Sequence, residues 1–192
     1  MSAAALERLR ALLLAEGGLL AGLLADIPAS NGSHAARPAD PVSTQASAGA
    51  GAGPAQLAAA GPRTCAQAAE YELLLEAIFE GYLLHYGAPR LLRSPEEDLG
   101  LLAGDRLYAL GLARLVALGD VVAVAELADV ITLTALAHGA GQADLADAIW
   151  TAGARAVGWG PSERHRQAKS LARAGDPGAL AAMRLAAERD DE

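Results

Sequence analysis

The sequence predicts an all-α protein, and three observations carry that reading. Of 192 residues 53% are hydrophobic and only 4% aromatic, and the apolar content is mostly Ala and Leu, the residues of best helix propensity. Strand-favouring runs of Val, Ile and Thr are scarce outside Val121 to Thr134. Apolar residues recur at helical spacing between cap and stop signals of Ser, Thr, Asp, Pro and Gly. The net charge of -8, from 15 basic against 23 acidic residues, disfavours a nucleic-acid partner, because phosphate neutralisation needs a clustered basic face. The lone Cys65 forms no intrachain disulfide and, with His34, His85, His138 and His165 scattered along the chain, builds no zinc site. A reducing, cytoplasmic setting is expected. Leu9 to Ile27 has the look of a signal h-region, but Glu16 interrupts it and no clean small-residue cleavage pattern follows.

Residues 1–27 read as an amphipathic N-terminal helix. Leu6, Leu9, Leu13, Leu20, Leu23 and Ile27 keep a seven-residue register in which Glu16 takes one seam position. Gly17, Gly18 and Gly22 weaken it by about 1 kcal/mol each relative to Ala. It therefore needs a covering surface, on its own domain or on another subunit. Residues 28–62, rich in Ala, Gly, Pro and Ser, read as a flexible linker in which His34 is a solvated loop residue.

Residues 63–160 form the predicted helical core. Thr64 and Gln67 make a capping box ahead of a helix that ends before Gly87. Tyr71, Leu74, Leu75, Ile78, Tyr82 and Tyr86 mark its core side. Glu72, Glu76 and Glu80, at i, i+4 and i+8, read as a solvated acidic face in preference to a divalent-ion site, which would need oxygen ligands from a second helix. The next helix has Ser94 as N-cap, Pro95 at its first position, Glu97 completing a capping box and Gly119 as its stop. Leucines all round it predict a central helix covered on several sides. Asp105, Arg106 and Arg114 each cost roughly 2.5 to 3.5 kcal/mol at a bilayer centre, so a membrane span is disfavoured while peripheral membrane contact stays open.

Asp120 N-caps the following segment, which ends at Gly139, Ala140 and Gly141. Its β-branched residues leave a strand open at Val121 to Val124, but its length and the Glu126, Asp129 spacing favour a buried helix with a narrow polar edge. The tight turn at Gly119 and Asp120 predicts an αα-hairpin at the heart of the fold. A helix from Gln142 to Val157 follows, with Trp150 and Trp159 sealing one end of the core. In residues 161–192, Ser162 caps one helix and Asp176 with Pro177 starts another, both expected to be peripheral. Arg164, Arg166, Lys169 and Arg173 form a basic cluster that could meet a diphosphate or an acidic partner; the favoured reading is a solvated face, with His165 exposed.

No nucleophile pattern, glycine-rich phosphate loop, His-x-x-x-His pair or cysteine ligand set occurs. No catalytic, cofactor-binding or metal-ligating residue is assigned, and no cofactor is expected. The segment LLAGDRLYALGLARLVALGD, with its LAGD followed by a leucine-rich helix over Leu101 to Leu118, resembles the corresponding part of trans-type polyprenyl diphosphate synthases. More loosely, Tyr71 to Gly160, with HYGAPRLL and the GQADLAD run from Gly141 to Asp147, is similar to the small non-catalytic subunit of heteromeric heptaprenyl diphosphate synthases. The resemblance implies a helical bundle like part of an isoprenoid-synthase fold. It also implies a subunit that binds a catalytic prenyl synthase and shapes product chain length, or one that self-associates. The two Asp-Asp-x-x-Asp motifs that hold magnesium in catalytic members are missing, as is their Gly-Gly-Lys-Arg stretch; Asp190 and Asp191 lack the third acid. No activity is expected of the chain alone, while a place in a heteromeric prenyltransferase stays open. Two other readings stand beside it: a helical interaction or scaffold module with its own small ligand, and a divergent enzyme that gathers Glu72, Glu76, Glu126 and Asp129, although no Glu-x-x-His pair supports it.

Overall fold

A computed structural model describes residues 3–24, 53–93 and 96–188, and within them the chain is all-α. The helices are α1 (Ala3–Glu16), α2 (Gly18–Gly22), α3 (Pro54–Ala59), α4 (Ala68–Tyr86), α5 (Glu97–Leu118), α6 (Val121–Gly139), α7 (Ala143–Trp159), α8 (Glu163–Arg173) and α9 (Ala179–Ala187). Val121 to Val124, where a strand was open, is helical. Two helices are wrapped by the rest. Leu73 to Ile78 of α4 are all buried, so every face of that helix is covered, by α1, α3 and α5. In α7 the small residues Ala146, Ala152, Gly153 and Ala156 are buried alongside Ile149, Trp150 and Val157, letting α3, α6 and α9 close on it. Phe79 and Tyr82 of α4 meet the Trp150 ring edge-on at 4.9 and 5.4 Å, joining the two wrapped helices.

The predicted α5–α6 hairpin is therefore not the heart of the fold. The two helices do meet at the Gly119 turn, but α5 packs chiefly on α4, and α6 on α7. Gly100, Ala103, Gly104, Leu107 and Gly111 share the buried side of α5. A Cβ on Gly81 would lie 2.9 Å from Gly104 O and one on Gly104 2.6 Å from the His85 ring, so this pair of glycines lets the α4 and α5 backbones approach there. That contact turns other large apolar residues outward: Leu102 is 58% and Val116 62% exposed. Counting leucines could not reveal this, because small residues, not large ones, select the contact face. Glu96 is the N-cap of α5; the predicted cap at Ser94 and Pro95 lies outside the described residues.

The N-terminal helix breaks where Gly17 and Gly18 take φ of 69° and 64°, which side chains disfavour. Its seam is covered by its own chain. Leu9 and Leu13 are fully buried in a cluster with Leu73, Ala77 and Leu107, and Arg8 reaches Glu72 at 3.1 Å. Ile27 lies outside the described residues.

Two boundaries move. Residues 53–62, expected to be linker, belong to the body: Ala55, Ala58 and Ala59 of α3 are buried. Thr64 makes no capping box; its buried hydroxyl donates to Ala58 O at 2.5 Å and Gly61 O at 3.1 Å, closing the end of α3 instead. Residues 28–52, with His34, lie outside the described residues. Nor are α8 and α9 peripheral, since Ala168, Ala179 and Met183 are fully buried in the main core. Asp190 and Asp191 lie outside the described residues.

Asp120 caps α6 as expected, accepting from Ala123 N at 3.0 Å. It also accepts from the Tyr71 hydroxyl at 2.7 Å and from Arg63 at 3.0 Å. Arg63 in turn donates to Val157 O at 2.6 Å, so one guanidinium ties the start of α6 to the end of α7.

Candidate functional site

Five of the charged or titratable residues singled out in the sequence, Glu76, Glu80, Glu126, His165 and Lys169, prove to be bolts inside the body. The Ser162 hydroxyl accepts from His165 N at 3.1 Å and starts α8. From there His165, Lys169 and Arg173 recur at i, i+4 and i+8, on the side that meets α6. Facing them are Glu126 and Asp129, one turn apart. His165 Nε2 lies 2.8 Å from Glu126 Oε2, Lys169 Nζ donates to both Glu126 oxygens at 2.8 Å and pairs with Asp129 at 2.8 Å, and Arg173 pairs with Asp129 as well. His165 is 3%, Glu126 5% and Lys169 8% exposed, so the inner part of this seam is dry, while Asp129 and Arg173 lie at its edge. Burial alone would push the Glu126 carboxyl up, but its hydrogen bonds from His165 and Lys169 outweigh it and hold the group below its ordinary value. Asp129 is likewise held low by Arg173 and Lys169 against its burial.

The expectation is corrected for His165 and Lys169, which are buried, whereas Arg164, Arg166 and Arg173 are exposed as a solvated face requires. The signal was present in the spacing: cations at i, i+4 and i+8 on one helix match acids at i and i+3 on another.

The solvated acidic face predicted for α4 is corrected in the same way. Glu80 is fully buried and Glu76 is 2% exposed. Glu80 Oε1 accepts from Arg90 N and Leu91 N at 2.6 Å, and its Oε2 from Arg90 Nε at 2.9 Å. Glu76 pairs with Arg90 at 2.8 Å; burial still leaves its carboxyl above the ordinary value, the guanidinium offsetting only part. Glu72, Glu76, Glu126 and Asp129 thus each have other partners. Among the described residues no group of three or more His, Cys, Asp or Glu could hold a metal ion.

At the far end of α4 the Tyr82 hydroxyl lies 2.9 Å from His138 Nε2, and the Tyr86 ring stacks on His138 at 4.3 Å. Burial lowers the His138 pKa. The LAGD segment has a packing role beside this cluster. Its Gly104 makes the close approach to His85, and its Asp105 pairs with His85 Nε2 at 3.2 Å.

Two open surfaces among the described residues bear on function. A cavity of about 310 Å³ lies between α7, α8 and α9, lined by Arg155, Trp159, Ser162, Arg164, His165 and Ala186 among others. The second is the outward side of α6, where Val121, Ala125, Ala128, Thr132, Ala135 and Leu136 are exposed and no charged side chain interrupts them. Even Thr132 turns its hydroxyl to Ala128 O at 2.9 Å. With a mean hydropathy of 1.7, α6 is also the helix among the described residues long and apolar enough to cross a membrane. That feature fell outside the segment the sequence drew attention to, Leu99 to Leu118. Its inner side is packed in protein, with Leu127 and Leu133 at 0% and 2% exposure and both its carboxylates bound to α8.

Compared with protein-family models, curated proteins and solved structures, the chain finds no match in any of the three.

Proposed function

We propose that the chain is a non-catalytic interaction subunit that docks, through the outward side of α6, on an apolar helix of a partner protein. The observation that carries this is the exposure of large apolar residues on a helix side free of charge: Val121 is 71% and Leu136 52% exposed. Between them the side runs about 23 Å at 1.5 Å per residue, and exposed apolar surface of this kind marks interaction sites. The small residues Ala125, Ala128 and Ala135 along it would let a partner helix approach closely. The prenyl synthase resemblance supplies a class of partner, a catalytic polyprenyl diphosphate synthase whose product length this subunit would shape. The reading stands on the open side of α6, because the LAGD residues that carry the resemblance also serve the α4–α5 contact.

The test is Ala128→Glu, which places a charge at the middle of the open side without touching the core. Co-expressed with a catalytic prenyl synthase, the parent chain should co-purify and the variant should not, at an unchanged melting temperature. An unpaired charge buried in an interface costs on the order of 2 to 5 kcal/mol, enough to abolish a micromolar complex. If the chain alone sediments as a dimer that Ala128→Glu splits, the surface belongs to a second copy and the heteromeric reading falls. If the variant alters neither assembly, α6 is not the docking surface.

A further inference from the structure

Among the described residues the core falls into two clusters with no buried residue in common. The larger takes in nothing from α1 or α2. The smaller seats Leu9, Leu13 and Leu20 of the N-terminal arm, residues 3–24, against Leu73 of α4 and Leu107 and Leu110 of α5. The buried pairings of Glu80 with Arg90 and of Glu126 with Lys169 include no residue of that arm. Its ion pairs Arg8–Glu72 and Glu16–Arg106 lie at the rim of the seat, with Arg8 39% and Arg106 57% exposed. Gly17 and Gly18 break the arm in open space: a Cβ on either would meet nothing within 4 Å, so no close packing demands them. They deprive the arm of helical stability away from its seat. The arm therefore depends on a seat of this shape, and a second copy of the chain offers an identical one.

Residues 25–52 join the arm to the start of α3, a length of chain that spans up to about 90 Å at 3.3 Å per residue. The radius of gyration of a body of this size is about 16 Å, so reach does not confine the arm to its own copy. Taken in cis or from a neighbour, the arm makes the same contacts, and the two arrangements differ in the concentration at which the arm is presented. We infer that the arm is exchangeable: the seat on α4 and α5 accepts residues 3–24 of a second copy of this chain, so that two copies join by trading arms. The occupant follows from fit, because this sequence lies in the seat with its leucines buried, Arg8 on Glu72 and Glu16 on Arg106. This joining does not use the open side of α6.

Two full-length variants test it by complementation in sedimentation velocity. Leu9→Asp with Leu13→Asp spoils the arm and leaves the seat; Leu110→Asp puts a charge in the seat and leaves the arm. Each alone is expected to run as a monomer, and their equimolar mixture as a one-to-one heterodimer. The parent chain should need at least a tenfold higher concentration to dimerise, since its own arm competes at a local concentration on the order of millimolar. A mixture that stays monomeric overturns the inference, as does dimerisation of the arm-spoiled variant by itself, which would make the seat unselective. So does loss of the heterodimer when Ala128→Glu is added to both chains, which would route the association through α6. Thermal melts check that the variants keep the fold, and hydrogen exchange of the parent chain needs no variant. Its α1 amides should exchange at least a hundredfold faster than those of α4; equal protection would mean that the arm opens only with the whole body, and would overturn the exchange.

Discussion

Replacing Glu80 by Gln should be among the most damaging single changes open to this protein, although it alters the side chain's shape hardly at all. The carboxylate is fully buried and accepts from Arg90 N, Leu91 N, Leu92 N and Arg90 Nε, at 2.6, 2.6, 3.4 and 2.9 Å. It thereby pins the segment that leads from α4 towards α5. Leu91 and Leu92 of that segment are 5% and 1% exposed in the cluster that also holds Leu9 and Leu13, and Arg93 N donates to Leu23 O at 2.8 Å. A glutamine offers one acceptor oxygen in place of two and turns an NH₂ group towards donors. Hydrogen bonds to a charged group are worth about 1.5 to 3 kcal/mol each, and breaking a buried ion pair costs about 3 to 5 kcal/mol, so a loss of about 3 to 5 kcal/mol is expected. At roughly 2 to 4 °C per kcal/mol for a chain of this size, the melting temperature should fall by about 6 to 20 °C. Glu72→Gln is the control: its pairing with Arg8 is partly exposed, at 16% and 39%, and should be worth under about 1 kcal/mol. Urea unfolding followed by circular dichroism reads both. A Glu80→Gln loss no larger than that of Glu72→Gln would mean that the carboxylate is neither dry nor pinning anything.

Two further outcomes follow from the packing and the titrations. Leu107→Ala, at a fully buried position, should cost about 2 to 5 kcal/mol, whereas Leu102→Ala, at 58% exposure, should stay within about 0.5 kcal/mol; equal melting shifts would contradict the assigned contact side of α5. Stability should also fall in acid. His138 is held below its ordinary 6.5, so the unfolded chain takes up that proton first as pH drops below 6.5. Glu126 and Asp129 are held below 4.5 and 3.8, so the stability they contribute is present above those values and is lost as pH falls through their folded-state pKa. Glu76, raised by burial, works in the opposite direction. Glu126→Gln should flatten the fall below about pH 4.5 in melting temperature against pH; an unchanged profile would exclude the seam as its source.

What the sequence made legible was local. Asp120 and Ser162 as caps, Gly87 and Gly119 as stops and the helix at Gln142 to Val157 all rest on interactions within a few residues, and each is found with shifts of a residue or two. What it hid was pairing. Glu80 and Arg90 are separated by a helix end and a loop, and Glu126 and Lys169 by 43 positions, so helical periodicity read the Glu80 side as solvated and put Glu126 on a narrow polar edge without showing the partner of either. The Thr64 reading failed for a related reason, because its hydroxyl turned back to the Ala58 carbonyl and left the following amides alone. Of the cavity between α7, α8 and α9, Trp159, Ser162, Arg164 and His165 were singled out beforehand, each for another reason, and Arg155 was not. Nothing in the spacing showed that His165 would have one nitrogen engaged and the other unpaired.

A core of alanine and leucine leaves a problem that aliphatic contact does not solve, since such residues pack acceptably in many registers and against many neighbours. Three polar devices narrow the choice here. Arg90 with Glu76 and Glu80 fixes the chain beyond α4, Lys169 with Glu126 and Asp129 fixes α8 against α6, and Asp120 with Tyr71 and Arg63 fixes the start of α6 against α4 and α7. A buried charge costs stability unless it meets its partner, so a wrong register would strand one of these groups and be rejected. Two of the three act on α6. With its carboxylates and cap committed inward, that helix cannot roll to bury Val121 and Leu136 in its own core, and this keeps the side on which the proposed docking rests turned outward.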